Sequence, residues 1–270
     1  MEADELKRAV REHWSREPCG TRGIAPAERK RFFDEIERER YEWEPYIPGF
    51  ARFEEGRGKR VLEVGVGAGP DFINWARNGA DATGVDLSEQ GVALVNERLV
   101  LEDLRAEVVV ADAENLPFAD ATFDIVYSYG VLHHSPNTRK AIDEVYRVLK
   151  PGGRARIMIY HLRSVTGVVL WGLHCAAKLR PWKSPRWAIF NHLESPGTKA
   201  YTTEEARRLF LAYRRVDIRT VLGPGDLLLM PPSAKYQTWY FQVPWKLYPR
   251  RVIRRLGDRF GLGMLIEAER

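Results

Sequence analysis

The sequence predicts an α/β protein built on a doubly wound, Rossmann-like sheet, and three observations carry that prediction. Between residues 60 and 160, short apolar runs rich in β-branched residues alternate with helical patterns, as repeated βαβ units require. The first run, Val61-Leu62-Glu63-Val64, ends in a glycine-rich turn with Gly65, Gly67 and Gly69. The second ends in an acid, Asp86, 21 residues after Gly65.

The elements follow in order. Strands are expected at Arg60–Val66, Asp81–Val85, Ala106–Val110, Phe123–Ser128 and Arg156–Tyr160. Helices are expected at Asp71–Asn78, at Ser88–Leu101 with Ser88 as N-cap, and at Thr138–Leu149. Pro151-Gly152-Gly153 should stop the last of these. Before this core, Ala27–Tyr41 places Phe33 and Ile36 at helical spacing among charges, and Pro45, Pro48 and Gly49 then break the chain. After it, Thr202–Tyr213 reads as helix, and Val216–Leu222 and Met264–Ala268 as strands. The organisation is thus an N-terminal helical segment, 1–59, and a domain, 60–270, interrupted at about 161–200 and 223–263.

Apolar residues make up 44% of the 270, enough for a sizeable core. No stretch reaches the roughly 18 apolar residues of a membrane span. The N-terminus is charged and lacks an apolar signal region, so a cytoplasmic protein is expected. Cys19 and Cys175 show no metal spacing, and no metal is expected. The net charge of +5 does not indicate a nucleic-acid binder. The basic excess is local: Lys235, Lys246, Arg250, Arg251, Arg254, Arg255 and Arg259 stand against Asp258 alone.

Glycines after the first strand permit positive φ and close approach of a ligand, and Asp86 stands where a carboxylate holds ribose hydroxyls. Three features argue against a dinucleotide. The glycines run GxGxG rather than GxGxxG. Asp71 sits at a helix start, where it would repel a pyrophosphate. Glu63 lies inside the first strand. S-adenosylmethionine (SAM) has no phosphate but carries an ammonium and a sulfonium, which an acidic, glycine-lined pocket suits. Asp112, beyond the third strand, lies on the same edge and is placed to accept the adenine amino group. Tyr129, His133 and His134 follow the fourth strand on that edge.

These pieces, VLEVGVGAG, GVDLS, ADAENLPF, FDIVYSYGVLHH and VLKPGG, resemble in order the class I SAM-dependent methyltransferases, nearest the small-molecule group of ubiquinone and menaquinone biosynthesis. The resemblance implies that Glu63, Gly65, Gly67 and Gly69 surround the methionine part of SAM. It implies that Asp86, with Leu87 beside it, holds the ribose, that Asp112 and Ala113 flank the adenine, and that Tyr129 belongs to the same wall. It also implies a seven-stranded sheet whose last strand is antiparallel, and an N-terminal cover with Tyr41 and Tyr46 over the site.

The links after the fifth and sixth strands leave from the ligand-binding edge, so both insertions are expected to form a lid and acceptor pocket. Their aromatics, among them Trp171 and Trp239, suit a small lipophilic acceptor, with Tyr160 beside them. Interleaved Trp, Tyr, Lys and Arg also suit contact with a membrane surface. RNA ranks third, and base N-methylation is disfavoured because Ser128-Tyr129-Gly130-Val131 replaces an Asn/Asp-Pro-Pro-Tyr/Phe run. Nothing selects an oligomeric state.

Methyl transfer is an in-line displacement; a base ionises a phenol or carboxylate acceptor, whereas a carbon acceptor needs base help later or stabilisation of a cation. His161 is the preferred base, with His134 and His133 as the others, since histidine titrates near working pH. A SAM-fold binding or scaffold protein and an RNA or protein methyltransferase are the competing readings.

Overall fold

The computed structural model describes residues 3–16, 18, 21, 28–195, 197–229 and 248–270. A seven-stranded sheet forms its centre: β1 (Arg60–Val64), β2 (Asp81–Asp86), β3 (Glu107–Val110), β4 (Phe123–Tyr129), β5 (Leu149–Tyr160), β6 (Arg215–Val221) and β7 (Gly263–Glu269). The order is β3-β2-β1-β4-β5-β7-β6. β1 to β5 pair in parallel, whereas β7 runs antiparallel to both β5 and β6. The expected sheet with its antiparallel last strand is therefore present.

Central strands are apolar on both faces because helices cover both. Four of the five residues of β1 are buried, and five of the seven of β7. β6 at the edge alternates exposed and half-buried residues instead. One core layer gathers Phe72, Ile73, Trp75 and Val95 under helices α4 (Pro70–Arg77) and α5 (Glu89–Leu101). The other packs Ile142, Val145 and Phe210, from α6 (Thr138–Val148) and the turn after α7 (Thr203–Leu209), on the opposite face. Ser88 caps α5 by accepting from the Gly91 amide, and Thr202 and Glu205 form a capping box at α7.

The fifth strand differs from expectation. Pro151-Gly152-Gly153 does not separate helix from strand; β5 begins at Leu149 and contains it. The register explains the tolerance: Phe123 pairs with Leu149 but Ile125 with Arg154. Proline thus sits in a bulge, where the ladder needs no amide from it. The helix at 202–213 is also shorter than expected, ending at Leu209.

The N-terminal segment forms α1 (Ala3–Arg16), α2 (Arg29–Trp43) and a short α3 (Ile47–Ala51). Phe32, Phe33 and Ile36 of α2 join Ala68 and Leu94 in a separate apolar cluster. Fully buried Arg98 on α5 pairs with Glu37 of α2 and, at 2.8 Å, with Glu102. Arg98→Ala leaves Glu37 without that partner in a half-buried setting. It should cost about 3 kcal/mol, measured by urea unfolding.

Candidate active site

β1 delivers its carboxyl end into the turn 65–69, which only glycine accommodates at its first position. Gly65 has φ +86°, and a Cβ there would fall 2.2 Å from Val131 Cγ2. The turn therefore packs directly on the loop after β4. Asp86, at the end of β2, stitches this corner: it accepts from the Gly67 amide at 2.9 Å and from the Ser88 amide and hydroxyl at 2.8 Å.

A cavity of about 390 Å³ opens above this edge. Glu63, Gly65, Gly67, Asp86, Leu87, Asp112, Ala113 and Tyr129 all line it. Tyr46 and Tyr160 line it as well, as does His134. Both insertions contribute, through Thr166, Leu193 and Glu194 from the first and Gly223–Gly225 and Leu262 from the second. Most of the lining is carbon, with acids clustered at the glycine end.

Glu63 is 3% exposed, and its Oε2 has no hydrogen-bond partner. Burial pushes its carboxyl well above the usual range, and Asp71 and Asp86 add to the rise while Arg40 opposes it. Asp71 itself is satisfied by Arg40 at 2.7 Å and by the hydroxyls of Tyr127 at 2.9 Å and Tyr41 at 3.1 Å. Arg40 also pairs with Glu44 at 2.8 Å and lies over the Tyr129 ring. Glu44 Oε1 in turn accepts from Tyr129 at 2.6 Å and from Tyr46 at 2.8 Å. One network thus ties the end of α2 to the floor of the cavity. Lys7 of α1 pairs with Asp112 at 2.5 Å, and Val10 and Trp14 of the same helix complete the wall.

Several expected site residues lie elsewhere. His161, the preferred base, is 5% exposed and off the cavity; its Nδ1 is 3.2 Å from the Gly261 carbonyl. Its backbone forms a parallel bridge to Tyr201, just after the first insertion, while its ring contact with Gly261 ties it to the return of the second. His133 is fully buried behind His134 and also misses the lining. Gly69 shapes the start of α4, where a Cβ would press on Val95 Cγ2 at 2.7 Å. Tyr41 turns toward Asp71 and Asn74 rather than the cavity. Trp171 donates to the Lys183 carbonyl at 2.6 Å and packs on the core. Trp239 lies outside the described residues.

The sequence reading missed Arg40, Glu44, Lys7, Trp14 and Glu194. Arg40 and Glu44 share an i,i+4 spacing that reads as a solvated helix pair. Glu194 stands in Leu193-Glu194-Ser195, a stretch with no pattern at all.

Comparison with known proteins agrees with the geometry. A family described as "Methyltransferase domain" matches residues 62–157. The phthiotriol/phenolphthiotriol dimycocerosates methyltransferase of Mycobacterium tuberculosis is 43% identical over 98 residues, 36% of each chain. The 27-O-demethylrifamycin SV methyltransferase of Amycolatopsis mediterranei is 41% identical over 100 residues, 36% of this chain and 37% of that one. The alignable part is thus little more than a third of those relatives' length. A putative methyltransferase of Haloferax volcanii, solved with the Trm112 activator, shares the fold with a TM-score of 0.62 at 18% identity, over 96% of both chains. Residues 62–157 thus match a methyltransferase domain family, and the seven-stranded sheet that contains them has the Rossmann-like fold of the methyltransferase structures it resembles.

Proposed function

We propose that the protein transfers a methyl group from SAM to a small, lipophilic acceptor, on carbon or oxygen. The observation that carries this reading is the unpartnered, buried Glu63 carboxyl facing a glycine-lined cavity. A buried acid without a partner is costly, and a ligand's ammonium supplies the missing partner. Gly65 and Gly67 let that ligand reach the backbone. Asp86 keeps lone pairs for ribose hydroxyls, and Asp112 with Ala113 forms the adenine end. Bound SAM supplies an activated methyl on a sulfonium. The chain's own contribution is to orient the acceptor against it and to exclude water.

The acceptor occupies the carbon-rich half of the cavity, beside Tyr46, Tyr129, Tyr160, Trp14, Met158 and Leu193. Residues 1–59 act as a cover, and the two insertions as lid and acceptor wall of the domain 60–270. His134 replaces His161 as the base on this reading, because it alone of the three histidines lines the cavity. The two matched relatives are named for phthiotriol/phenolphthiotriol dimycocerosates and for 27-O-demethylrifamycin SV, which favours a small-molecule acceptor here too.

Membrane contact fits the outer face of the first insertion. Between 161 and 193 the chain has five Lys or Arg (Arg163, Lys178, Arg180, Lys183, Arg186) and no acid. At its tip Leu179 is 82% and Trp182 76% exposed. No described helix is long and apolar enough to cross a membrane.

The test is methyl transfer from radiolabelled SAM to lipophilic phenols, quinols and prenyl compounds, with and without anionic vesicles. Labelled product from one class, raised by vesicles, is the expected result. No calorimetric binding of SAM or S-adenosylhomocysteine to folded protein would sink the proposal and leave the scaffold reading.

A further inference from the structure

We propose that His133, His134 and Glu194 form a site for one divalent transition-metal ion, of the zinc class, in the wall of the cavity. One ligand atom from each residue lies within 4.8 Å of the other two. In a tetrahedral site with bonds of roughly 2.0–2.2 Å, two ligand atoms lie about 3.3–3.6 Å apart. His134 Nε2 and Glu194 Oε2, at 3.5 Å, already stand at that distance. The widest pair has to close by no more than about 1.5 Å, within reach of a side-chain rotation.

The contacts of His134 favour the tautomer with hydrogen on Nδ1. Its Nδ1 lies 2.8 Å from Ser195 Oγ and 3.2 Å from Thr198 Oγ1. Thr198 donates its own proton to the Ser195 carbonyl at 2.7 Å, so toward His134 it can only accept. With the hydrogen on Nδ1, both hydroxyl oxygens accept from it and Nε2 presents a lone pair. That lone pair faces a carboxylate oxygen, and a cation between the two would satisfy both. An Nδ1–H bonded to oxygen is also how a metal-ligating histidine is commonly oriented.

His133 supplies the second, independent observation. It is 0% exposed, and neither of its ring nitrogens has a hydrogen-bond partner. Buried imidazoles are ordinarily bonded at one nitrogen or more. Glu194 completes the set. It holds a left-handed backbone with φ +48°, unusual for a residue with a side chain. Tyr160 donates to its Oε1 at 2.7 Å, which leaves Oε2 for the ion. Two imidazoles and one carboxylate suit zinc and its neighbours. Because His134 and Glu194 line the cavity, the ion's open position faces it. No metal spacing shows in the sequence because Glu194 stands 60 residues after His134, on the other side of β5.

On the methyltransferase reading, and only there, such an ion takes over from His134, whose Nε2 it occupies, the task of ionising the acceptor, and it selects one with an oxygen donor, a hydroxyl or enol. Binding of the ion does not rest on that reading. The test uses full-length protein without an affinity tag, stripped with a chelator and titrated with Co²⁺, followed by visible ligand-field absorption and competition with Zn²⁺. One Co²⁺ per chain is expected. His133→Asn and Glu194→Gln should each weaken it at least about tenfold, with circular dichroism confirming the fold. The absence of a saturable Co²⁺ spectrum in the unmodified protein overturns the proposal and leaves a proton between His134 and Glu194. So does binding that both variants retain. Calorimetry with SAM on the same samples separates the two claims: lost SAM binding with intact Co²⁺ binding removes the proposed function alone.

Discussion

Asp86→Ala should weaken SAM and S-adenosylhomocysteine binding by roughly a hundredfold, the equivalent of one or two hydrogen bonds to a charged group. The carboxylate has two roles that the experiment must separate. It is proposed to hold the ribose, and it also ties Gly67 to Ser88 through three hydrogen bonds. Alanine removes both roles. Asparagine keeps one oxygen for the Gly67 or Ser88 amide while losing the charge. Calorimetry on both variants, beside urea unfolding, resolves the matter. A stable Asp86→Asn protein with affinity reduced about tenfold or more assigns the effect to the ligand. Affinity unchanged in the alanine variant removes Asp86 from the cofactor site.

Glu63→Gln should weaken SAM binding tenfold to a hundredfold and abolish a proton release that accompanies it. Burial first, then Asp71 and Asp86, hold the Glu63 carboxyl well above its usual range in the empty cavity. A cationic ligand favours the ionised form, so binding expels a proton. The release is read as the slope of binding enthalpy against buffer ionisation enthalpy, across about pH 5 to 8. The linkage to stability has a definite sign. With its native pKa raised, the folded state binds more protons than the unfolded one between the ordinary value, about 4.3, and the raised one. Stability therefore falls as pH rises through that window, and the glutamine variant should lack this component. A slope that is the same in both proteins would falsify the role of Glu63.

How far the sequence could be read follows from how local each signal is. The sheet and its glycine turn were legible because β-branched runs, Gly65 and Asp86 act within one βα unit each. The bulge at Pro151 was not, since it depends on the register of β5 against β4. The half of the cavity proposed for the cofactor lies at successive strand ends, and Glu63, Asp86 and Asp112 line it there. The half proposed for the acceptor is assembled from α1, the end of α2 and both insertions, with contacts across dozens of residues. Lys7 meets Asp112, and Glu44 meets Tyr129. No short-range pattern marks such pairs. His161 misled for the same reason: its place after a strand was right, but its orientation is decided by Gly261, 100 residues away.

The pairing of Lys7 with Asp112 makes the first helix a door with an electrostatic latch. Both side chains are about 30% exposed, so salt loosens the catch. The same carboxylate is offered to the helix from one side and, on the proposed reading, to an adenine from the other. On that reading the helix and the ligand share one carboxylate, while Lys7 keeps Glu114, 3.4 Å away, as a second anchor. The catch over the cavity is thus doubled, and a nucleoside at Asp112 shares only one half of it.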